Sequence, residues 1–153
     1  MADLNIGQRA AQAVKQKLFE KQCRKYQEFE SLMMDRANLY YWQRGGTPRA
    51  FALQQMMRNG YDVEWILTGQ SNLVPQYPVP VGNYQTIGER AAQYVRRAAA
   101  ENDTTYGKEC RVLNVDIHCL VNWEKGDEPG GKKLASMAMR GYDIRWILLG
   151  EAK

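Results

Sequence analysis

Histidine is almost missing from this chain. His118 is the only one, and the cysteines number three, Cys23, Cys110 and Cys119. A closed zinc shell takes four ligands, and the adjacent pair His118 and Cys119 supplies two, so no metal is expected. An odd cysteine count at these spacings excludes a disulfide framework; reduced, partly buried thiols are expected instead. No apolar run approaches the ~20 residues of a membrane span. The opening Met1-Ala2-Asp3-Leu4 lacks the basic start and apolar stretch of a secretory signal, so a cytoplasmic chain with no membrane partner is expected. There is no glycine-rich phosphate loop leading into a helix and no nucleophile–base pair at a recognisable spacing. The sequence therefore reads as a non-enzyme that needs no cofactor.

What is present is an ordinary globular composition, 44% hydrophobic and 25% charged, with a net charge of +4 and a pI near 9.0. That charge permits attraction to a polyanion without establishing it.

The chain is also an internal repeat. Ile6-Gly7-Gln8-Arg9-Ala10-Ala11-Gln12 returns as Ile87-Gly88-Glu89-Arg90-Ala91-Ala92-Gln93. Gly60-Tyr61-Asp62-Val63-Glu64-Trp65-Ile66-Leu67-Thr68-Gly69 returns as Gly141-Tyr142-Asp143-Ile144-Arg145-Trp146-Ile147-Leu148-Leu149-Gly150. One offset of 81 aligns 6–69 with 87–150 without a gap and gives 24 identities over 64 positions. Average residue usage would give about four. Duplication of a unit large enough to hold its own small core is the economical explanation.

Between the copies, residues 70–86 (QSNLVPQYPVPVGNYQT) carry no charge. Pro75, Pro78 and Pro80 favour extended backbone, which could reach roughly 50 Å at ~3.1 Å per residue. Leu73, Val74, Tyr77, Val79 and Val81 are apolar for a free linker, so the segment is expected to lie partly on a domain surface.

Within each copy the apolar spacing predicts five helices and no strand. The first covers about 4–22 and 86–102, with Thr86 as an N-cap; the second covers about 25–33 and 105–113, with Thr105 as an N-cap. The third covers about 35–44 and 116–125. Asp35 and Asp116 are its caps, and Leu39 with Trp42, or Leu120 with Trp123, form its buried face. Gly45 and Gly126 close it. A proline-containing loop leads to a fourth helix, ended by Gly60 or Gly141. Asp62 or Asp143 then caps a short fifth helix. The four tryptophans, Trp42, Trp65, Trp123 and Trp146, are expected in the core.

Four features, in order and twice over, resemble the lambda-repressor-like (Cro/CI-type) helix-turn-helix family. They are clearest in the second copy: the opening Ile87-Gly88-Glu89-Arg90, the two-helix stretch from Thr105 to Trp123, the exit Trp123-Glu124-Lys125-Gly126 followed by Pro129, and the closing 141–150. The first copy departs by placing Phe29 where a small residue is usual, and both copies place a glutamate, Glu28 or Glu109, at an apolar position. The resemblance implies an all-α fold of two tandem five-helix helix-turn-helix domains, 1–69 and 87–153, joined by the linker 70–86.

It also implies double-stranded DNA as the partner, with the third helix in the major groove and the second across the backbone. Carried over position by position, the DNA-binding candidates in the first copy are Lys25, Arg36, Asn38, Tyr41, Arg44 and Arg49, with Arg24 flanking them. Those in the second copy are Lys108, His118, Asn122 and Lys125. Arginine can pair with guanine, asparagine with adenine, and tyrosine hydroxyls reach phosphate. The implied function is a sequence-specific transcriptional regulator, probing adjacent half-sites with two unlike helices, with a homodimer or a second regulatory protein as further partners. The competing reading is a protein-interaction module, an antirepressor or adaptor. Ile117 and Val121, exposed on the third helix of copy two, favour it, as does that copy's near balance of 11 Lys/Arg against 10 Asp/Glu over 87–153.

Overall fold

The computed structural model describes residues 4–21 and 25–153 and is all-helical, with ten helices and no strand among the described residues. They run α1 (Ile6–Lys21), α2 (Lys25–Ser31), α3 (Arg36–Gln43), α4 (Ala50–Arg58), α5 (Val63–Thr68), α6 (Ile87–Glu101), α7 (Tyr106–Val112), α8 (Ile117–Glu124), α9 (Gly131–Arg140) and α10 (Ile144–Leu149). Helices α6 to α10 repeat the order and, to within a residue, the lengths of α1 to α5. Cys23 and Arg24 lie outside the described residues, as does the side chain of Lys25.

The punctuation follows local chemistry. The Asp35 side chain accepts the Asn38 N–H at 3.0 Å while Asn38 Oδ1 accepts the Asp35 N–H at 2.9 Å, so both ends of α3's first turn are satisfied. Thr86 and Thr105 cap α6 and α7 through their hydroxyls. Asp62 and Asp143 take the N–H groups of Trp65 and Trp146. Helices α3 and α8 end two residues before their glycines: Gly45 (φ 96) and Gly126 (φ 111) follow the cap residues Arg44 and Lys125. Helices α2 and α7 are shorter than their apolar pattern implies. Met33 (φ 55) and Asn114 (φ 56) turn left-handed, and the chain folds back with Met34 N–H on the Phe29 carbonyl and Val115 N–H on that of Cys110.

The motif residues that repeat are mostly structural. Arg90 donates from Nε to the Ile147 carbonyl at 2.7 Å and from Nη2 to that of Leu148 at 3.1 Å. Arg9 does the same to Ile66 at 2.8 Å and Leu67 at 3.1 Å. Each arginine thus satisfies the orphan carbonyls that end the last helix of its half. Burial lowers the Arg90 guanidinium from its ordinary value, and Glu89 opposes that shift. Gly7 and Gly88 sit where the first helix of each half crosses the end of the third. A Cβ on Gly88 would overlap the Asp127 carbonyl oxygen and lie 2.6 Å from that of Trp123.

The two misplaced glutamates also have an account. Glu28 accepts the Tyr61 hydroxyl at 2.5 Å, and Glu109 accepts that of Tyr142 at 3.1 Å. Both carboxylates are buried, at 3% and 1% exposure. Arg140 adds a two-pronged contact to Glu109, Nε and Nη2 each at 3.2 Å. Asn59 holds the equivalent place in the first half, where it donates to the carbonyls of Ser31 and Gln55.

Helix α1 packs on α3 and α5, and α6 packs on α7, α8 and α10. Between the halves the packing is reciprocal: α5 meets α9 and α4 meets α10, while the counterparts α4 and α9 meet each other. Such same-on-same contact is the geometry of a two-fold interface, here made within one chain. Buried residues of both halves form a single cluster. Gln54 reaches across to the Leu148 carbonyl at 2.7 Å, and Gly131 lies so close to Thr47 and Pro48 that a Cβ would fall 2.7 Å from the Pro48 oxygen.

The linker follows the second half. Leu73, Tyr77, Val79 and Tyr84 are partly buried against the core, which removes them from water as their apolar content demands. Lys153 joins the start of this segment to α5 through Glu64 and the Leu73 carbonyl.

One expectation is corrected. Trp42, Trp123 and Trp146 are core residues, but Trp65 is only partly buried. Its counterpart Trp146 is covered by Tyr84 and Tyr94, and the first half has Ala13 where Tyr94 stands. Cys110 is buried and Cys119 partly so, both unpaired thiols; burial and the neighbouring Glu109 push the Cys110 thiol up, which keeps it protonated.

Candidate nucleic-acid interface

Helices α3 and α8 each bury two residues of identical type, Leu39 with Trp42 and Leu120 with Trp123. Every other position of the two helices differs, RAN-YY-Q against IHC-VN-E around the shared Leu and Trp. The buried stripe fixes the rotation of each helix, so Arg36, Asn38, Tyr40 and Tyr41 of α3, and Ile117, His118, Val121 and Asn122 of α8, face solvent.

In the first half, Arg36 and Tyr41 are exposed. Asn38 is exposed too, but its Oδ1 is committed to the Asp35 cap, leaving the Nδ2 donors for a ligand. Arg44 caps α3 and holds its guanidinium 5.4 Å from the Tyr40 ring centre. Lys25 opens α2, at the turn beyond α1.

Asn38, Tyr41 and Arg49 are brought together. With Met33, Ala37 and Phe51 they line an open cleft of about 970 Å³ whose far wall is the loop at 126–130 of the second half. That loop contributes Asp127 and Glu128. Two carboxylates facing the exposed side of α3 oppose entry of a phosphate and suit a donor-rich group. Nothing in the local sequence of α3 signals these acids, which come from about 90 positions further along the chain.

In the second half, Lys108, His118, Asn122 and Lys125 are all exposed and none lines that cleft. The His118 N–H is held by Asp116 Oδ1 at 2.8 Å, and the Lys108 N–H by Thr105 at 3.2 Å, so backbone capping fixes where both side chains start. Arg111 and Lys133 come together with Asn114 and Asp116 in a shallow cleft at the α7–α8 turn, a basic pair drawn from two separate helices. Arg96 is paired with Glu124 at the end of α8, Nε at 2.8 Å, and stacks 4.6 Å from the Tyr106 ring centre.

Among the described residues no cluster of three or more His, Cys, Asp or Glu is arranged to hold a metal ion, and no helix is long and apolar enough to cross a membrane. Comparison with family models, with curated proteins and with solved structures finds no match to this chain.

Proposed function

We propose that the chain is a sequence-specific double-stranded DNA-binding transcriptional regulator of phage or mobile-element type. On this reading 1–69 and 87–153 are two lambda-repressor-like domains whose third helices, α3 and α8, enter adjacent half-sites of one asymmetric operator. The observation that carries it is the pattern on those helices: identical buried residues under wholly different solvent-facing ones. A scaffold kept constant while its presented face changes is what recognition of two different half-sites requires. Arg36, Asn38 and Tyr41 on one face, and His118, Asn122 and Lys125 on the other, supply the donors for base edges and phosphates. The reciprocal packing of α4 with α10 and α5 with α9 supports it too, since it gives one chain the two-fold arrangement that half-site readers obtain by dimerising.

Selection from a random duplex pool followed by salt titration tests this. The expected outcome is one enriched, non-palindromic sequence whose affinity falls at least tenfold between 50 and 200 mM salt, as release of counterions from a few phosphates requires. An unenriched pool sinks the reading.

A second reading is favoured by two features. Ile117 and Val121 stand 41% and 43% exposed on α8, and Asp127 and Glu128 face α3 across the cleft. Both suit a protein-interaction module, an antirepressor or adaptor, better than a groove reader. An empty selection is the outcome it predicts.

A further inference from the structure

The second half seats a stretch of extended chain in a groove. The Gln76 N–H donates to the Gly141 carbonyl at 2.7 Å, and the Tyr77 ring meets Tyr142 edge-on at 5.5 Å between centres. The Tyr77 carbonyl accepts the Tyr94 hydroxyl at 2.7 Å. Tyr94 forms the floor, its ring 4.7 Å from Tyr142 and 5.4 Å from Trp146, and its hydroxyl accepts the Asp143 N–H at 3.1 Å.

The first half repeats this groove in Gly60, Tyr61, Asp62 and Trp65, with Ala13 in place of Tyr94. A cavity of about 300 Å³ opens there, lined by Ala13, Gln16, Lys17, Gly60, Tyr61 and Trp65 among others. Its floor lacks the one ring that fills the equivalent space in the other half. Among the described residues, no group bonds the Gly60 carbonyl as Gln76 bonds Gly141, and none meets the Asp62 N–H as Tyr94 meets Asp143. A hollow lined by Tyr61 and Trp65 together with Lys17, Glu20 and Asp62, beside an available backbone acceptor and donor, is the make-up of a groove for extended peptide.

We propose that this groove captures an extended, uncharged peptide of a partner protein carrying a tyrosine beside proline. Its backbone lies on Gly60 to Asp62, and its tyrosine ring enters the space left by Ala13. The backbone contact is that of Gln76 with Gly141 on the second half, and the ring takes the place that Tyr94 holds there, beside Tyr61 and Trp65. A second copy of the chain is the weaker occupant, because its segment of this character is already docked within its own molecule, where covalent linkage keeps its effective concentration high. The proposal stands whether or not α3 and α8 touch DNA.

The probe is a fluorescein-labelled synthetic peptide with the sequence of residues 73–81, Leu-Val-Pro-Gln-Tyr-Pro-Val-Pro-Val, titrated with the full chain by anisotropy. Saturable binding at one peptide per chain is expected. Ala13→Arg fills the hollow with a charged chain that offers no ring and should weaken binding at least tenfold. Replacing the peptide's tyrosine by alanine should do likewise, and Trp65→Ala should weaken binding as well, with some loss of stability because Trp65 packs against the core. No saturation at millimolar peptide, or binding indifferent to Ala13→Arg and to loss of the peptide's tyrosine, overturns the proposal. So does a concentration-dependent dimer in sedimentation that Ala13→Arg dissolves, since that assigns the groove to a second copy.

Discussion

Glu109 meets Tyr142 inside the second half, hydroxyl to carboxylate at 3.1 Å, and Arg140 closes the pair from the other side at 3.2 Å. The carboxylate is 1% exposed, so its charge depends on these donors for the solvation it has lost. Removing the cation alone leaves the charge under-compensated. Arg140 is itself a third exposed, which moderates the loss. Arg140→Met should lower unfolding free energy by about 2 kcal/mol in urea titration. Arg140→Met combined with Glu109→Gln should cost less than the sum of the two single changes.

Alkaline pH tests the buried phenols. Burial drives Tyr94 up to about 12, and burial with the nearby Glu109 drives Tyr142 higher still. Both hold their protons more tightly folded than unfolded. Their contribution is therefore complete below the ordinary tyrosine value of about 10 and declines as pH rises toward the folded values, by about 1.4 kcal/mol per pH unit for each. Urea midpoints should be flat from pH 8 to 10 and fall above that. Tyr94→Phe should roughly halve the alkaline slope.

Gly88 leaves no room for a side chain. Gly88→Ala must push α6 away from the end of α8, because the obstructing atoms are backbone oxygens of Asp127 and Trp123 rather than a movable side chain. A loss of about 3 kcal/mol is expected, visible as a lowered thermal midpoint. Gly7→Ala should behave alike, since its obstructions are the Gly46 and Trp42 oxygens.

Met33 occupies a left-handed turn position at φ 55 with its side chain largely in solvent. Its counterpart Asn114 takes the same backbone conformation with a residue that tolerates it. Met33→Asn should raise stability by about 1 kcal/mol with no change in fold.

The DNA reading separates by half. With α3 and α8 each reading a half-site, Arg36→Ala with Tyr41→Phe and, separately, Asn122→Ala with Lys125→Ala should each weaken binding to a selected duplex about tenfold; Asn38 is left in place because its side chain caps α3. A pair that leaves binding intact removes its helix from the interface. Electrophoretic mobility shift at fixed salt resolves the two.

Local chemistry made much of the fold legible. Asp35, Asp116, Thr86 and Thr105 cap helices where their position ahead of an apolar stripe places them. The repeat of Leu39 with Trp42 in Leu120 with Trp123 told which side of each third helix is inside. What sequence could not display was encounter at a distance. Asp127 and Glu128 enter the cleft beside α3 from the other half, and no pattern near Tyr41 reveals them. Trp65 was misplaced for the same reason: its own motif matches that of Trp146, but the cover over Trp146 comes from Tyr94 and from the linker's Tyr84. Glu28 and Glu109 stood out as anomalies because their tyrosine partners lie 33 residues downstream.

The reciprocal seating of α4 and α5 on α10 and α9 has a genetic corollary. In an assembly of two identical chains, any altered codon appears on both faces at once, so one face cannot be retuned while the other is preserved. Here the two faces are encoded separately. A single base change alters Arg36 and leaves Ile117 as it was, and dilution cannot separate the pair.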